Sequence, residues 1–270
     1  MITSLNVNSF LGQREWKELE GDRRGKESIW DKNKDYFFSY IKNHIKKRDD
    51  LVILHEVPYV YEISYVYRGQ IKFKRSTEEC KIYLQLLEFC RNENLSILTP
   101  QSNEKSYFRT IAICFEKIFD NLSHKVSFVE YKNRVIILKN NFLGKNMAIV
   151  GVHAPSSSGI KEYWESLRLL YHNLKENNYK NIVFIGDFNV YKPGSIQKKM
   201  LFSLLAEGMV DLWIEKGYSH TDMTFVKETR IDYAIISDSE YNEFEIFKDD
   251  VVRKEGYSDH SAIIVVPIDK

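Results

Sequence analysis

The stretch Asn181 to Asn189, reading Asn-Ile-Val-Phe-Ile-Gly-Asp-Phe-Asn, constrains what this chain can fold into more than any other. Ile182 to Ile185 is a run of β-branched and aromatic residues with the length and composition of a buried strand. Gly186 ends it, and a glycine there lets the backbone turn tightly or approach a ligand closely. Asp187 and Asn189 follow two apart. In an extended chain both leave the same face, which puts a carboxylate and an amide at the mouth of a sheet. Gly-Asp after a strand is also an ordinary turn, so the pair acquires meaning only with partners elsewhere.

The same arrangement recurs. Ile2 to Val7 alternates as a short strand, sending Asn6 and Asn8 to one face and Leu5 and Val7 to the other. Leu51 to Leu54 is apolar and ends in His55-Glu56-Val57-Pro58, and Met147 to Val152 ends in His153-Ala154-Pro155. Asp232 stands second in the strand Ile231 to Ile236, and Tyr257-Ser258-Asp259-His260 precedes the apolar run Ser261 to Val266. Further strands are expected at Leu95 to Leu98, Thr110 to Phe115, His124 to Tyr131 and Arg134 to Lys139, the last pair joined by a Lys132-Asn133 hairpin turn. Apolar residues at helical spacing mark helices around Tyr36 to Ile45, Ile82 to Phe89, Tyr163 to Leu174 and Met200 to Leu205.

Between these elements lie segments of weaker pattern. Leu11 to Lys34 is dense in charge and interrupted by Gly12, Gly21 and Gly25, and reads as a long exposed loop with one helical turn. Asp211-Leu212-Trp213 opens a loop through His220 and Thr221. Residues 59 to 75 interleave Tyr59, Tyr61, Tyr65 and Tyr67 with Arg68, Lys72, Lys74 and Arg75. Rings and cations in alternation suit either a nucleic-acid strand, by stacking and phosphate contact, or a solvated amphipathic loop. There is no internal repeat or Pro/Gly-rich linker, so one domain spanning 1–270 is expected.

Composition narrows the partners. With 39 Lys plus Arg against 38 Asp plus Glu the net charge is +1, so no global field steers the chain to nucleic acid or membrane, and a polyanion must be met locally. Met1 is followed by Ile-Thr-Ser-Leu-Asn-Val-Asn rather than the basic start and apolar segment of a signal peptide. No run approaches the roughly 20 apolar residues of a membrane span. A cytoplasmic monomer is expected. Cys80, Cys90 and Cys114 have apolar neighbours and no Cys-x-x-Cys spacing, and read as core thiols.

Asn6, Asn8, Glu56, His153, Asp187, Asn189, Asp232, Asp259 and His260 thus all sit beside apolar strands. Carboxylates and amides without cysteine or a three-histidine cluster make a hard, oxygen-rich site suited to Mg2+ or Mn2+. The substrate such a site implies is a phosphate ester, with the two histidines as general acid and base candidates.

In order, Leu5-Asn6-Val7-Asn8, Leu54-His55-Glu56, Val152-His153-Ala154-Pro155, Gly186-Asp187-Phe188-Asn189, Arg230-Ile231-Asp232-Tyr233 and Ser258-Asp259-His260 resemble the endonuclease/exonuclease/phosphatase (DNase I-like) superfamily. The resemblance runs from Asn6 to His260 and implies a four-layer α-β-β-α sandwich, two mixed β-sheets packed face to face. It implies Glu56 as the main metal ligand, with Asn8 and Asp259 as further ligands and Asn6 near metal and phosphate. His260, paired with Asp232, would contact the scissile phosphate. Asp187 would orient or deprotonate the attacking water, Asn189 would donate to the phosphoryl oxygens, and His153 would serve as general acid, the division of acid and base between the histidines remaining open. Three departures stand out: Asn8 where Asp is frequent, Arg109 at the position aligned with a carboxylate supporting His153, and a short segment between Trp213 and Arg230. The function implied is a Mg2+-dependent phosphodiesterase, a nuclease acting on DNA; the alternatives are a phosphatase for a small phosphorylated molecule and a non-catalytic binding protein.

Overall fold

The computed structural model describes residues 1–14, 22–68, 70–100, 107–116, 118–123, 132–142 and 145–268. In chain order these form β1 (Ile2–Asn6), α1 (Arg23–His44), β2 (Leu51–Pro58), β3 (Val60–Tyr67), β4 (Gln70–Glu79), α2 (Lys81–Asn92), β5 (Leu95–Leu98), β6 (Phe108–Phe115), β7 (Asp120–Asn121), β8 (Val135–Phe142) and β9 (Lys145–His153). They continue with α3 (Ile160–Glu176), β10 (Asn181–Asp187), α4 (Ile196–Ala206), β11 (Met209–Asp211), α5 (Leu212–Glu215), β12 (Asp232–Ser237), β13 (Phe244–Asp249), α6 (Val251–Lys254) and β14 (Ala262–Pro267).

Two six-stranded sheets result, in the orders β13-β14-β1-β2-β6-β5 and β11-β12-β10-β9-β8-β7. Both are mixed, since β1–β2 and β9–β10 are parallel while their other pairings are antiparallel. Three apolar layers hold them. Val52, Leu54 and Ile113 pack beneath Trp30, Phe37 and Ile41 of α1 and Leu86 of α2. Val150, Ile182 and Phe184 pack beneath Trp164, Leu167 and Leu170 of α3 and Leu201 and Leu204 of α4. Between the sheets lie Ile2, Ile53, Ala112, Ile149, Ile185, Ala234 and Ile263. Helix, sheet, sheet and helix therefore stack as the expected four-layer sandwich. Gly151 marks close approach of the sheets, because a Cβ there would lie 2.8 Å from the side chains of both Ile53 and Ile136.

Several expectations are corrected. The loop expected to reach Lys34 ends at Asp22, whose side chain caps α1 by accepting from the Gly25 N–H. Trp30, fully buried one heptad before Phe37, was the missed signal. Residues 59 to 75 are not a loop for much of their length but belong to the β3–β4 hairpin. Lys132 and Asn133 belong to a 3-10 turn leading into β8, and the strand expected at His124 to Tyr131 lies outside the described residues. Asp211 closes a strand rather than opening a loop, and its carboxylate caps the short α5 by accepting from the Trp213 N–H at 3.2 Å. The three cysteines are buried and unpaired, as expected.

Candidate active site

Side chains alternate along a strand, so every second residue faces the inter-sheet layer. Following that layer towards one end of the sandwich, apolar residues give way to polar ones: Ile2 to Ser4 and Asn6, Ile53 to His55, Ala112 to Thr110, Ile149 past Gly151 to His153, Ile185 to Asp187, and Ala234 to Asp232. Pairing brings them abreast, with Asn6 opposite His55 and Asp187 opposite both His153 and Asp232. The floor is His55, fully buried, its ring nitrogens 2.8 Å from Ser4 Oγ and 3.2 Å from Thr110 Oγ1. Burial first, then the neighbouring His153 and His260, keep His55 neutral, well below the usual histidine range. Gly186 at φ 143° makes room for it: a Cβ there would meet Val152 O at 2.1 Å and His55 Nε2 at 2.7 Å.

Above this floor the chain leaves regular strand geometry wherever a site residue must be re-aimed. The β2–β6 register slips between Leu54 and Val57, and Glu56 takes φ 56° in that bulge. Glu56 Oε1 comes within 3.2 Å of Asn6 Nδ2 and 3.1 Å of His153 Nε2. Asn6 also donates to Asp187 Oδ2 at 3.1 Å, so one amide joins two carboxylates. Asn189, at φ 52°, donates its backbone N–H to Asp187 Oδ1 at 2.9 Å and its Nδ2 to Ala154 O at 2.7 Å. Phe188 N–H donates to Ile231 O, which extends the pairing one residue past the strand and keeps the segment against β12.

His260 reaches the cluster from the turn before β14. Its Nδ1 lies 3.0 Å from Asp232 Oδ2, and its Nε2 lies 3.9 Å from Asp187 Oδ2 and 3.7 Å from Asp259 Oδ1. Ser258 fixes the turn, donating to Asn6 O at 2.6 Å while accepting the His260 N–H. Burial opposes charge on His260, but Asp232, Asp187 and Asp259 outweigh it and raise the ring to about 10, a lasting imidazolium whose Nε2 is its outward donor. Burial raises Asp187 to about 7; His260 works against this, and the Asp232 and Glu56 charges add to it. Asp259 is likewise raised, to about 6, by burial and then by Glu56 and Asp232 against the pull of His260.

His153 behaves differently. Its Nε2 faces both Glu56 and, at 3.2 Å, the Nη1 of Arg134. Burial, then the Arg134 guanidinium, hold the ring below the ordinary histidine range. Burial works against the Glu56 carboxylate, and hydrogen bonds from His153 and Asn6 overcome it, to about 2. A charged His153 would favour Glu56 further, yet its burial beside a guanidinium opposes charge on the ring.

Eight of the nine residues singled out from the sequence therefore converge here. Asn8 does not. Asn8, Ser9 and Phe10 all take positive φ, ending the alternation at Asn6, and the Asn8 amide donates to Gly12 O and Arg14 O. Its backbone N–H instead accepts a structural role, donating to Asn6 Oδ1 at 2.9 Å and so turning the Asn6 Nδ2 towards the carboxylates. Arg109 lies over the Tyr59 ring, 3.4 Å from its centroid. Arg134, Tyr191 and Phe225 went unnoticed: the Tyr191 hydroxyl donates to Asn189 Oδ1, and Phe225 packs 4.8 Å from the His260 ring centroid. Period-two spacing from Asn189 would have found Tyr191, whereas nothing in the sequence points to the other two.

Glu56, His153 and Asp187 each offer a ligand atom, and these atoms lie within 4.8 Å of one another. The surroundings fit a divalent cation. Four carboxylates, those of Glu56, Asp187, Asp232 and Asp259, face the imidazolium of His260, and Asp259 Oδ1 is buried without a hydrogen-bond partner. Oxygen donors with surplus negative charge suit Mg2+, and a histidine among them suits Mn2+ equally.

No protein-family model matches this sequence, and no curated protein matches it. Solved structures do match in fold. The 3' phosphatase NExo from Neisseria, bound to product DNA hairpin, superposes at TM-score 0.62 with 13% identity, over 99% of this chain and 98% of that one. An endonuclease/exonuclease/phosphatase from Bacteroides vulgatus gives 0.60 and 15%, over 99% and 98%. D. rerio TDP2 complexed with single strand DNA product gives 0.56 and 17%, over 97% and 96%. Among the described residues no helix is long and apolar enough to cross a membrane.

Proposed function

From a chain that carries the endonuclease/exonuclease/phosphatase fold from end to end, we propose a divalent-metal-dependent phosphoesterase, built as one domain over 1–270, whose substrate is a phosphodiester of DNA. The observation that carries this reading is the convergence of Asn6, Glu56, His153, Asp187, Asn189, Asp232 and His260, six of them almost fully buried, at one end of the inter-sheet layer. Two of the similar structures hold DNA products, which favours DNA over a small ester.

A phosphodiester is anionic and resists attack, so its hydrolysis needs positive or donating groups aimed at the phosphoryl oxygens. His260, held charged by Asp232, presents Nε2–H to them, and Asn189 keeps a second Nδ2 hydrogen beyond the one given to Ala154 O, available as a further donor. Asp187, with its carboxyl raised to about 7, is matched to take a proton from the attacking water near neutral pH. His153, neutral and beside Glu56, is placed to manage the proton on the leaving oxygen. Glu56 would hold Mg2+ or Mn2+, whose positive charge would offset the negative charge on the phosphoryl oxygens.

Phosphatase action on a small phosphorylated molecule is the second reading, favoured by the net charge of +1, since a small substrate needs no extended cationic groove. Incubation with Mg2+ and supercoiled plasmid, abasic duplex, single-stranded RNA or inositol phosphates separates the two. DNA cleavage is expected; phosphate release from the small ester with all nucleic acids intact would replace the first reading by the second.

A further inference from the structure

Tyr191 has no part in the chemistry above, yet it touches the one side chain whose orientation that chemistry needs fixed. Asn189 stands at φ 52°, in the left-handed region that asparagine adopts more readily than most residues. Its amide meets an acceptor on one side, Ala154 O, and a donor on the other, the Tyr191 hydroxyl. Turning the amide over would set its oxygen against a carbonyl oxygen, so Ala154 selects the orientation. Tyr191 then clamps the oxygen end. An O–H donated to an amide oxygen also polarises the amide and makes its N–H groups stronger donors. Of the two Nδ2 hydrogens, one is spent on Ala154 and one remains.

A second set of contacts holds Tyr191 itself. Its ring meets Phe225 edge-on, with centroids 6.2 Å apart and planes at 69°. Phe225 in turn bridges to His260 through the backbone and packs against its ring. The two rings therefore link the two donors that the phosphate reading requires, Asn189 and His260, although these come from different loops.

We infer that Tyr191 is a positioning residue for Asn189, backed by Phe225, which holds the remaining Nδ2–H on the phosphoryl oxygen that His260 also faces. This rests on the phosphoesterase reading, and it separates Tyr191 from a core aromatic whose hydroxyl is incidental. Tyr191→Phe keeps the ring and its packing and removes only the clamp.

Steady-state kinetics with Mg2+ should show kcat of Tyr191→Phe falling about ten- to a hundredfold, KM moving by less than about threefold, and the unfolding midpoint unchanged. In an Asn189→Ala background the same substitution should change kcat by less than about twofold, because the group it positions is gone. A kcat within about twofold of wild type, an equal loss in both backgrounds, or a loss tracking a lowered midpoint would overturn the inference. Should wild type hydrolyse no phosphate ester, the phosphoesterase reading fails, and titration with inorganic phosphate judges Tyr191 alone. Binding about tenfold weaker in Tyr191→Phe, and no weaker still in the double variant, upholds the positioning role; equal affinity overturns it.

Discussion

Two groups of buried charge lie in the same half of this molecule and are built in opposite ways. Arg230 and Asp211 meet two-pronged, Nη1 to Oδ1 at 3.1 Å and Nη2 to Oδ2. The guanidinium also lies over the Tyr233 ring, and Asp211 caps α5. Each charge there has its own partner. Around Asp187, in contrast, four carboxylates share one imidazolium and one amide, so burial, with like charges crowded together, pushes two carboxyls upward. Matched charge in a protein interior closes a fold; mismatched charge persists only if something from outside completes it. Arg230 stands within a motif of the resembled family, yet its geometry is architectural, while Asp232 two residues on belongs to the site.

Experiments can break this contrast at several strengths. His260→Gln, which keeps a donor near Asp232 but no positive charge, should lower phosphoester hydrolysis per folded molecule about 10⁴-fold, about 5 kcal/mol of barrier. Arg230→Ala should do the reverse, removing about 3–5 kcal/mol of stability in denaturant unfolding by leaving Asp211 buried and unpaired, with activity per folded molecule within about twofold. Midpoint shifts with Mg2+ come next. At about a hundred times its dissociation constant the ion should add about 2.7 kcal/mol, a gain that Glu56→Gln removes and Asp211→Asn keeps.

The smallest effect is at Asp250, an ion-pair cluster nearer the surface. Burial raises its carboxyl, but the Ser261 hydroxyl with Lys248 and Arg253 overcomes this and holds it below the usual range. A depressed folded value stabilises above the unfolded carboxylate range, and the contribution is lost as pH falls through the folded value. After solvent screening, Asp250→Asn should cost under about 1 kcal/mol at pH 7 and progressively less as the pH falls through the folded value. An undiminished effect at low pH would remove the carboxylate from the account.

How far the site could be read from the sequence follows from which residues obey strand alternation. Asn6, His153, Asp187 and Asp232 sit at strand ends with the parity of the inter-sheet apolar residues, so counting by two finds them. Glu56 is aimed by a bulge and Asn8 is turned away by three successive positive-φ residues, and neither departure has a glycine to announce it. β13 was missed because Phe244-Glu245-Ile246-Phe247 alternates imperfectly at a sheet edge, where Phe247 is half exposed. Arg134 comes to His153 through the pairing of β8 with β9, a long-range register that no local pattern encodes.

The central claim is that the Asp187 cluster hydrolyses phosphoesters, and one assay addresses it directly: Mg2+-dependent cleavage of end-labelled single-stranded DNA by wild type and by Asp187→Asn. Wild type should cleave, a chelator should stop it, and Asp187→Asn should fall below about a thousandth of the rate. Equal rates for the two proteins, or a wild type inert with Mg2+ towards DNA and small phosphate esters alike, would contradict it.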